Sequence, residues 1–120
     1  MRMPPTKPIW PVWDIAARFG DTDMLVRSIE QGRDLAAMLA GNTCVLMRGH
    51  GMTVVGDGVP EAVFRAIYTE MNARLQIQAA QLEGPIEFLS DEEARRSSAS
   101  NRGTLERPWE LWKKTALRRR

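Results

Sequence analysis

The stretch TCVLMRGHGMTVV, residues 43–55, constrains this chain more than any other. It sets two short β-rich runs on either side of Gly49-His50-Gly51, a connection of the length that hairpins and tight bends use, with glycines able to supply positive φ. The histidine is the only one in the chain and falls at a strand end. GDG follows at 56–58, and then Val59, Val63, Ile67, Met71, Leu75, Ala79 and Leu82 recur at four-residue spacing with Pro60 in the first turn. This spacing predicts a helix of about 24 residues and roughly 36 Å, capped by Gly58 and ended by Gly84-Pro85.

Around this unit the signals are shorter. Residues 1–10 read as an irregular arm, because Pro4, Pro5 and Pro8 remove backbone donors. PVWDI, 11–15, reads as a short edge strand. DTDMLVRSIEQGRDLAAMLAG predicts a helix opening at Asp21 or Thr22, weakened at Gly32 and stopped by Gly41. IEFL, 86–89, reads as a further short strand. Ser90 or Asp91 with Glu92 and Glu93 opens a brief helix, RSSASNRGT reads as a loop, and ERPWELWKKTALRRR as an amphipathic helix with a disordered Arg end. The order implies an α/β fold, with a mixed short-stranded sheet and flanking helices. Three short strands are few for two long helices to cover, so the chain reads as part of a layer structure.

At 120 residues there is room for one core. No apolar run approaches the 18 or so residues of a membrane span, and the proline-rich start lacks a signal-peptide core, so a cytoplasmic location is the default. Cys44 has no partner for a disulfide or a CxxC pair and reads as a small core residue. The net charge is +2, but residues 107–120 carry +5 and residues 1–106 carry −3. That basic tail, with Trp109 and Trp112, could track nucleic acid or an anionic membrane. Trp109 and Trp112 at i,i+3, with Leu111 and Ala116 nearby, point instead to docking on protein, so neither nucleic acid nor membrane is expected as a partner.

Among chemical candidates, His50 on residue type alone is a structural or surface histidine, while its flanking glycines would expose an imidazole at a sheet mouth, where sites are often built. A metal needs three or four donors, and the chain cannot supply a second imidazole. Asp14, Asp21, Asp23 and Glu70 show no ligand spacing. Glu70 and Arg74 read as an i,i+4 ion pair, Phe64 and Tyr68 as a packing pair, and Gly56-Asp57-Gly58 matches no phosphate-loop pattern.

The run VLMRGHGMTVVGDGVPEAVFRAIYTEMNARLQIQA resembles the C-terminal half of the class II aldolase/adducin family, in its decarboxylase-like and aldolase-like branch. PVWDI, GDTDMLV, GRDLAAMLAGN, FLSDEEA and RPWELWKK extend the resemblance over residues 11–116. It implies an incomplete C-terminal portion of an α/β/α sandwich over residues 11–106, followed by the basic Trp-containing tail, 107–120. It also implies homo-oligomers with sites at subunit interfaces, and zinc or another divalent metal held by three histidines. Two of those belong to an HxH motif that is absent here; the third maps onto His50, with Arg48 and Tyr68 as site neighbours. Gly58 stands where the family has a serine cap. The implied function is a C-terminal fragment or subunit of a metal-dependent lyase, performing aldol cleavage, epimerisation or decarboxylation, and inactive alone. Its partners would be copies of itself or a separate chain carrying HxH. MRMPPTKP reads as a new start joined to an old interior. The alternative is a non-catalytic interaction module that uses the long helix and the tail as its contact surface.

Overall fold

A computed structural model describes residues 10–118. The arm at 1–9 and the last two arginines lie outside the described residues. The order is β1 (Val12–Trp13), α1 (Ala16–Phe19), α2 (Ile29–Leu39), β2 (Cys44–Met47), β3 (Gly51–Val54), α3 (Val59–Ala80), α4 (Asp91–Arg102) and α5 (Glu106–Arg118). This is an α/β fold. The chain divides at Val55/Gly56 into an N-terminal unit with the sheet and a C-terminal unit of helices.

In the N-terminal unit the sheet order is β1-β2-β3, so β1 is an edge strand as its sequence implies. β1 runs parallel to β2, with Val12 opposite Leu46 and Trp13 opposite Met47. β2 and β3 are antiparallel, with Met47 opposite Gly51 and Cys44 opposite Val54. Side chains alternate across a pleated sheet, which puts Trp13, Val45 and Met47 on one face. That face forms the core with Ile15, backed by Phe19, Met24, Leu35 and Leu39. Val45 is fully buried and Ile15 and Trp13 nearly so; such side chains each stabilise a fold by about 1.5–3 kcal/mol. The opposite face presents Val12 and Leu46, both exposed. Cys44 is buried, as read from its setting.

The helix before the hairpin begins later than its sequence suggests. Thr22 and Asp23 close local turns instead, accepting from the Met24 and Leu25 backbone N–H groups at 3.0 and 3.2 Å. The helix starts at Ile29, where Ser28 caps it: the Ser28 hydroxyl accepts from Gln31 N–H and the Gln31 side chain accepts from Ser28 N–H. Gly32 does not interrupt it, donating its N–H to the Ser28 carbonyl at 3.1 Å. The C-cap is Ala40 at φ +47 rather than Gly41.

In the C-terminal unit α3 is the expected long helix, 22 residues with Gly58 as N-cap and Pro60 in the first turn. It ends at Ala80, before Gly84-Pro85. Its apolar stripe is half-buried at Val63 and Ile67, whereas Met71, Leu75 and Leu82 are exposed. Phe64 and Tyr68 stack at 4.5 Å, and Trp112 of α5 meets both rings at 6.3 and 6.4 Å. The protein docking inferred for the Trp pair is, for Trp112, contact with α3 of the same chain. Glu70 accepts from Arg74 Nε at 3.2 Å.

Two segments of this unit depart from what their sequence predicts. IEFL forms no strand; it runs irregularly, with Phe88 and Leu89 exposed. RSSASNR is not a loop but the body of α4, since Ser90 and Glu93 form a capping box and Glu92 pairs with Arg95 and Arg96 one turn on. α5 carries Pro108 in its first turn as expected.

Candidate functional site

The GHG turn joins β2 to β3 through three residues. The His50 N–H donates to the Met47 carbonyl at 3.0 Å, closing a turn whose third residue, Gly49, sits at φ +67. That position requires positive φ, which glycine takes at no steric cost. A Cβ added to Gly49 would stand 3.5 Å from the Met24 methyl, an ordinary contact, so conformation rather than space fixes the glycine. The His50 side chain is exposed at the end of the sheet.

Arg48 ties this turn to the neighbouring strand and helix. Its N–H donates to the Trp13 carbonyl at 2.9 Å, continuing the β1–β2 ladder. Its guanidinium Nε reaches Asp14 Oδ1 at 2.8 Å. The same carboxylate oxygen accepts from Ala16 N–H at 2.9 Å, at the start of α1. The Arg48 guanidinium, followed by the Ala16 N–H, holds the Asp14 carboxyl below its usual range.

Sequence reasoning did not find the next layer. The indole N–H of Trp13 donates to Asp34 Oδ2 at 2.8 Å, and Arg18 donates to Asp34 Oδ1 at 2.8 Å. Asp34 of α2 therefore braces β1 and α1 from one carboxylate. Its sequence signal was faint, since an aspartate at a helix's polar face has no marker of a bond to a tryptophan 21 residues away. The Trp13 donor first, and Arg18 after it, lower the Asp34 pKa. A lowered carboxyl contributes stability that is complete above its unfolded pKa, near 4, and lost as pH falls through the folded value. Asp34→Asn is accordingly expected to flatten the fall in melting temperature between about pH 5 and pH 2, the wild type being the more acid-sensitive chain. Parallel curves in a melting series across that range would refute this.

The other candidates lie elsewhere. Asp21 and Asp23 sit in the turn before α2, where Asp23 pairs with Arg27 at 2.6 Å. Tyr68 and Glu70 are on α3 in the C-terminal unit. At the N-terminus of α3, a position open to anions in general, the chain's own Glu61 serves as the acceptor: Oε2 takes the Asp57 N–H at 2.8 Å. Glu61 Oε1 meets Arg65 at 2.8 Å and Arg102 of α4 at 3.4 Å. Gly56 lies against this helix start so closely that an added Cβ would fall 2.7 Å from the Ala62 nitrogen.

The fit to a metal can be tested on these donors. His50 is a single imidazole, and the carboxylate tied to its turn, Asp14, is engaged by Arg48 and Ala16. No group of three or more His, Cys, Asp or Glu side chains among the described residues is placed to hold a metal ion. The donors present in the described residues do not make a metal site by themselves.

Residues 7–77 match the family described as Class II Aldolase and Adducin N-terminal domain. The chain is similar to the decarboxylase tropJ of Talaromyces stipitatus, 35% identical over 123 aligned residues, which cover 85% of this chain and 46% of that protein. It is also similar to a 3,4-dihydroxyphthalate decarboxylase of a Terrabacter species, 39% identical over 61 residues, covering 51% of this chain and 26% of that protein. The matches thus span less than half the length of either relative. No described helix is long and apolar enough to cross a membrane. With the family match covering the sheet, the GHG turn and most of α3, the chain belongs to the class II aldolase and adducin family.

Proposed function

We propose that this chain is one part of a decarboxylase of the class II aldolase and adducin family, acting in the cytoplasm on a small oxygenated carboxylate. The observation that carries the reading is the 35% identity to a decarboxylase along 85% of the chain. A second relative bears the name of a decarboxylase of a dihydroxylated aromatic diacid, which makes such acids the first substrates to try. Decarboxylation leaves negative charge on the carbon that loses CO2, and a site for it needs groups that stabilise that charge. Here the proposed contribution is His50, exposed at a strand end, as one donor of a divalent metal site. The remaining histidines come from a separate chain carrying HxH, since a copy of this chain adds only its own His50. The spans of 46% and 26% of the relatives support a part rather than a whole site. Homo-oligomers, with sites shared between subunits, follow from the same reading.

The test is to purify the chain together with an HxH-bearing partner, such as the product of an adjacent reading frame. Bound zinc is then measured by elemental analysis, and CO2 release from 3,4-dihydroxyphthalate is followed. His50→Ala is expected to remove the bound metal and activity together, with the melting temperature kept. Metal content unchanged by that substitution would sink the ligand assignment.

A second reading, a non-catalytic interaction module, draws on α3, where Met71, Leu75 and Ile77 stay exposed. A chain that binds partners through this surface, and gives neither metal retention nor CO2 release in any combination, would favour it.

A further inference from the structure

We infer that Arg48 and Asp14 are positioning residues for His50: their ion pair fastens the base of the glycine-flanked turn to the corner between β1 and α1, and so fixes where the imidazole stands. The inference rests on the proposed use of His50.

The turn has little restraint of its own. Gly49 at φ +67 and Gly51 at φ +151 both adopt conformations open mainly to glycine, and a segment with two glycines has more backbone freedom to lose than any other. His50 itself is exposed, and the backbone bond from its N–H to Met47 closes the turn without tying it to a neighbouring element. External restraint has to come from the residues beside it. Arg48 supplies it twice, through its N–H to the Trp13 carbonyl at 2.9 Å and through its guanidinium to Asp14 at 2.8 Å. Asp14 is a firm anchor because its oxygen also takes the Ala16 N–H at 2.9 Å, while the adjoining Trp13 is nearly fully buried and bonded to Asp34. A line of bonds therefore runs from α2 through β1 to the residue two before His50.

Arg48 and Asp14 side chains are 53% and 38% exposed, and pairs in that setting contribute little to global stability. Their value here is local. A site assembled from donors on different chains needs each donor held to a fraction of an ångström, and a wandering imidazole would weaken it. Long Arg, with a planar fork, suits this better than Lys.

The chain's single histidine makes the test clean, since every imidazole signal belongs to His50. In the full chain without metal or substrate, at constant pH, Arg48→Met is expected to speed amide exchange at His50 by about fivefold, the scale of an exposed ion pair, and to broaden or shift the imidazole resonances. Asp14→Asn should act in the same direction, Arg48→Lys should restore part of the effect, and Arg27→Met, which breaks the exposed pair with Asp23, should leave His50 unchanged. Unaltered His50 exchange and imidazole signals in both Arg48→Met and Asp14→Asn would overturn the inference. So would an equal rise at Leu46 and Val55, because the pair would then hold the sheet as a whole. These readouts need no metal, so they fail separately from the His50→Ala test of the proposed function. In the complex with an HxH-bearing chain, Arg48→Met should further weaken zinc retention severalfold, with Arg48→Lys intermediate; retention equal to wild type would overturn the positioning role.

Discussion

Trp13→Ala is expected to destabilise the N-terminal unit by about 3–5 kcal/mol, the usual cost of deleting a buried tryptophan. Three effects combine at this residue. The indole is 2% exposed and packs with Ile15, Val45 and Met47, so its removal leaves a cavity at the centre of a small core. Its N–H is the donor to Asp34, so the brace from α2 to β1 goes with it. Its carbonyl receives the Arg48 N–H, and that backbone bond survives only while β1 keeps its place. Whole domains are stable by only about 5–15 kcal/mol, so a loss of this size removes much of the margin. Amide exchange at Leu46 and Arg48, whose N–H groups bond to Pro11 and Trp13 carbonyls at 2.9 Å each, reads the effect directly. Wild-type protection at both amides in the variant would contradict it.

The second large effect is expected in the C-terminal unit, where Glu61→Ala should cost about 1.5–3 kcal/mol, the range for a hydrogen bond to a charged group. Glu61 is the buried charged side chain among the described residues. Its carboxylate takes the Asp57 N–H, contacts Arg65 and reaches Arg102, which joins the start of α3 to the end of α4. The Asp57 N–H, followed by Arg65 and Arg102, lowers its pKa, so this contribution too is present above the ordinary carboxylate value and is lost as pH falls. Glu61→Gln keeps an acceptor but not the charge and should fall between wild type and alanine. The first-turn bond of α3, Ala62 N–H to the Gly58 carbonyl at 3.0 Å, should exchange faster in the same order. Equal exchange in all three chains would rule out this role for Glu61.

The parts of the fold that could be read from the sequence are those where local physics decides. The hairpin followed from two β-rich runs around glycines, and α3 from a stripe sustained over several turns. The start of α2 was misplaced because Asp21 and Thr22 are cap-type residues, and such side chains close isolated turns, as Thr22 does, as readily as helices. The true signal, Ser28 with Gln31, stood six residues further on. The start of α4 was legible, but its RSSASNR half was read as a loop because Ser and Asn are weak helix formers, yet a capping box and the Glu92 pairs outweigh that over 12 residues. IEFL fails as a strand because β structure needs a hydrogen-bonded neighbour, which propensity cannot reveal.

The site divides in the same way. His50 and its glycines were legible as a displayed turn, but the Arg48–Asp14 and Trp13–Asp34 bonds join residues 34 and 21 apart in the chain. The first depends on the parallel register of β1 and β2 and the second on the packing of α2 against β1, and nothing local encodes either. Glu61 was overlooked because it sits at the third position of its helix, where an acidic residue is ordinary, while Arg102 arrives from α4.

Cys44, the sole thiol, is buried at the head of β2, and burial raises its pKa, so it is both covered and protonated at neutral pH. A disulfide reagent should therefore label the folded chain only as fast as the sheet opens, turning one quiet core atom into a clock for the N-terminal unit.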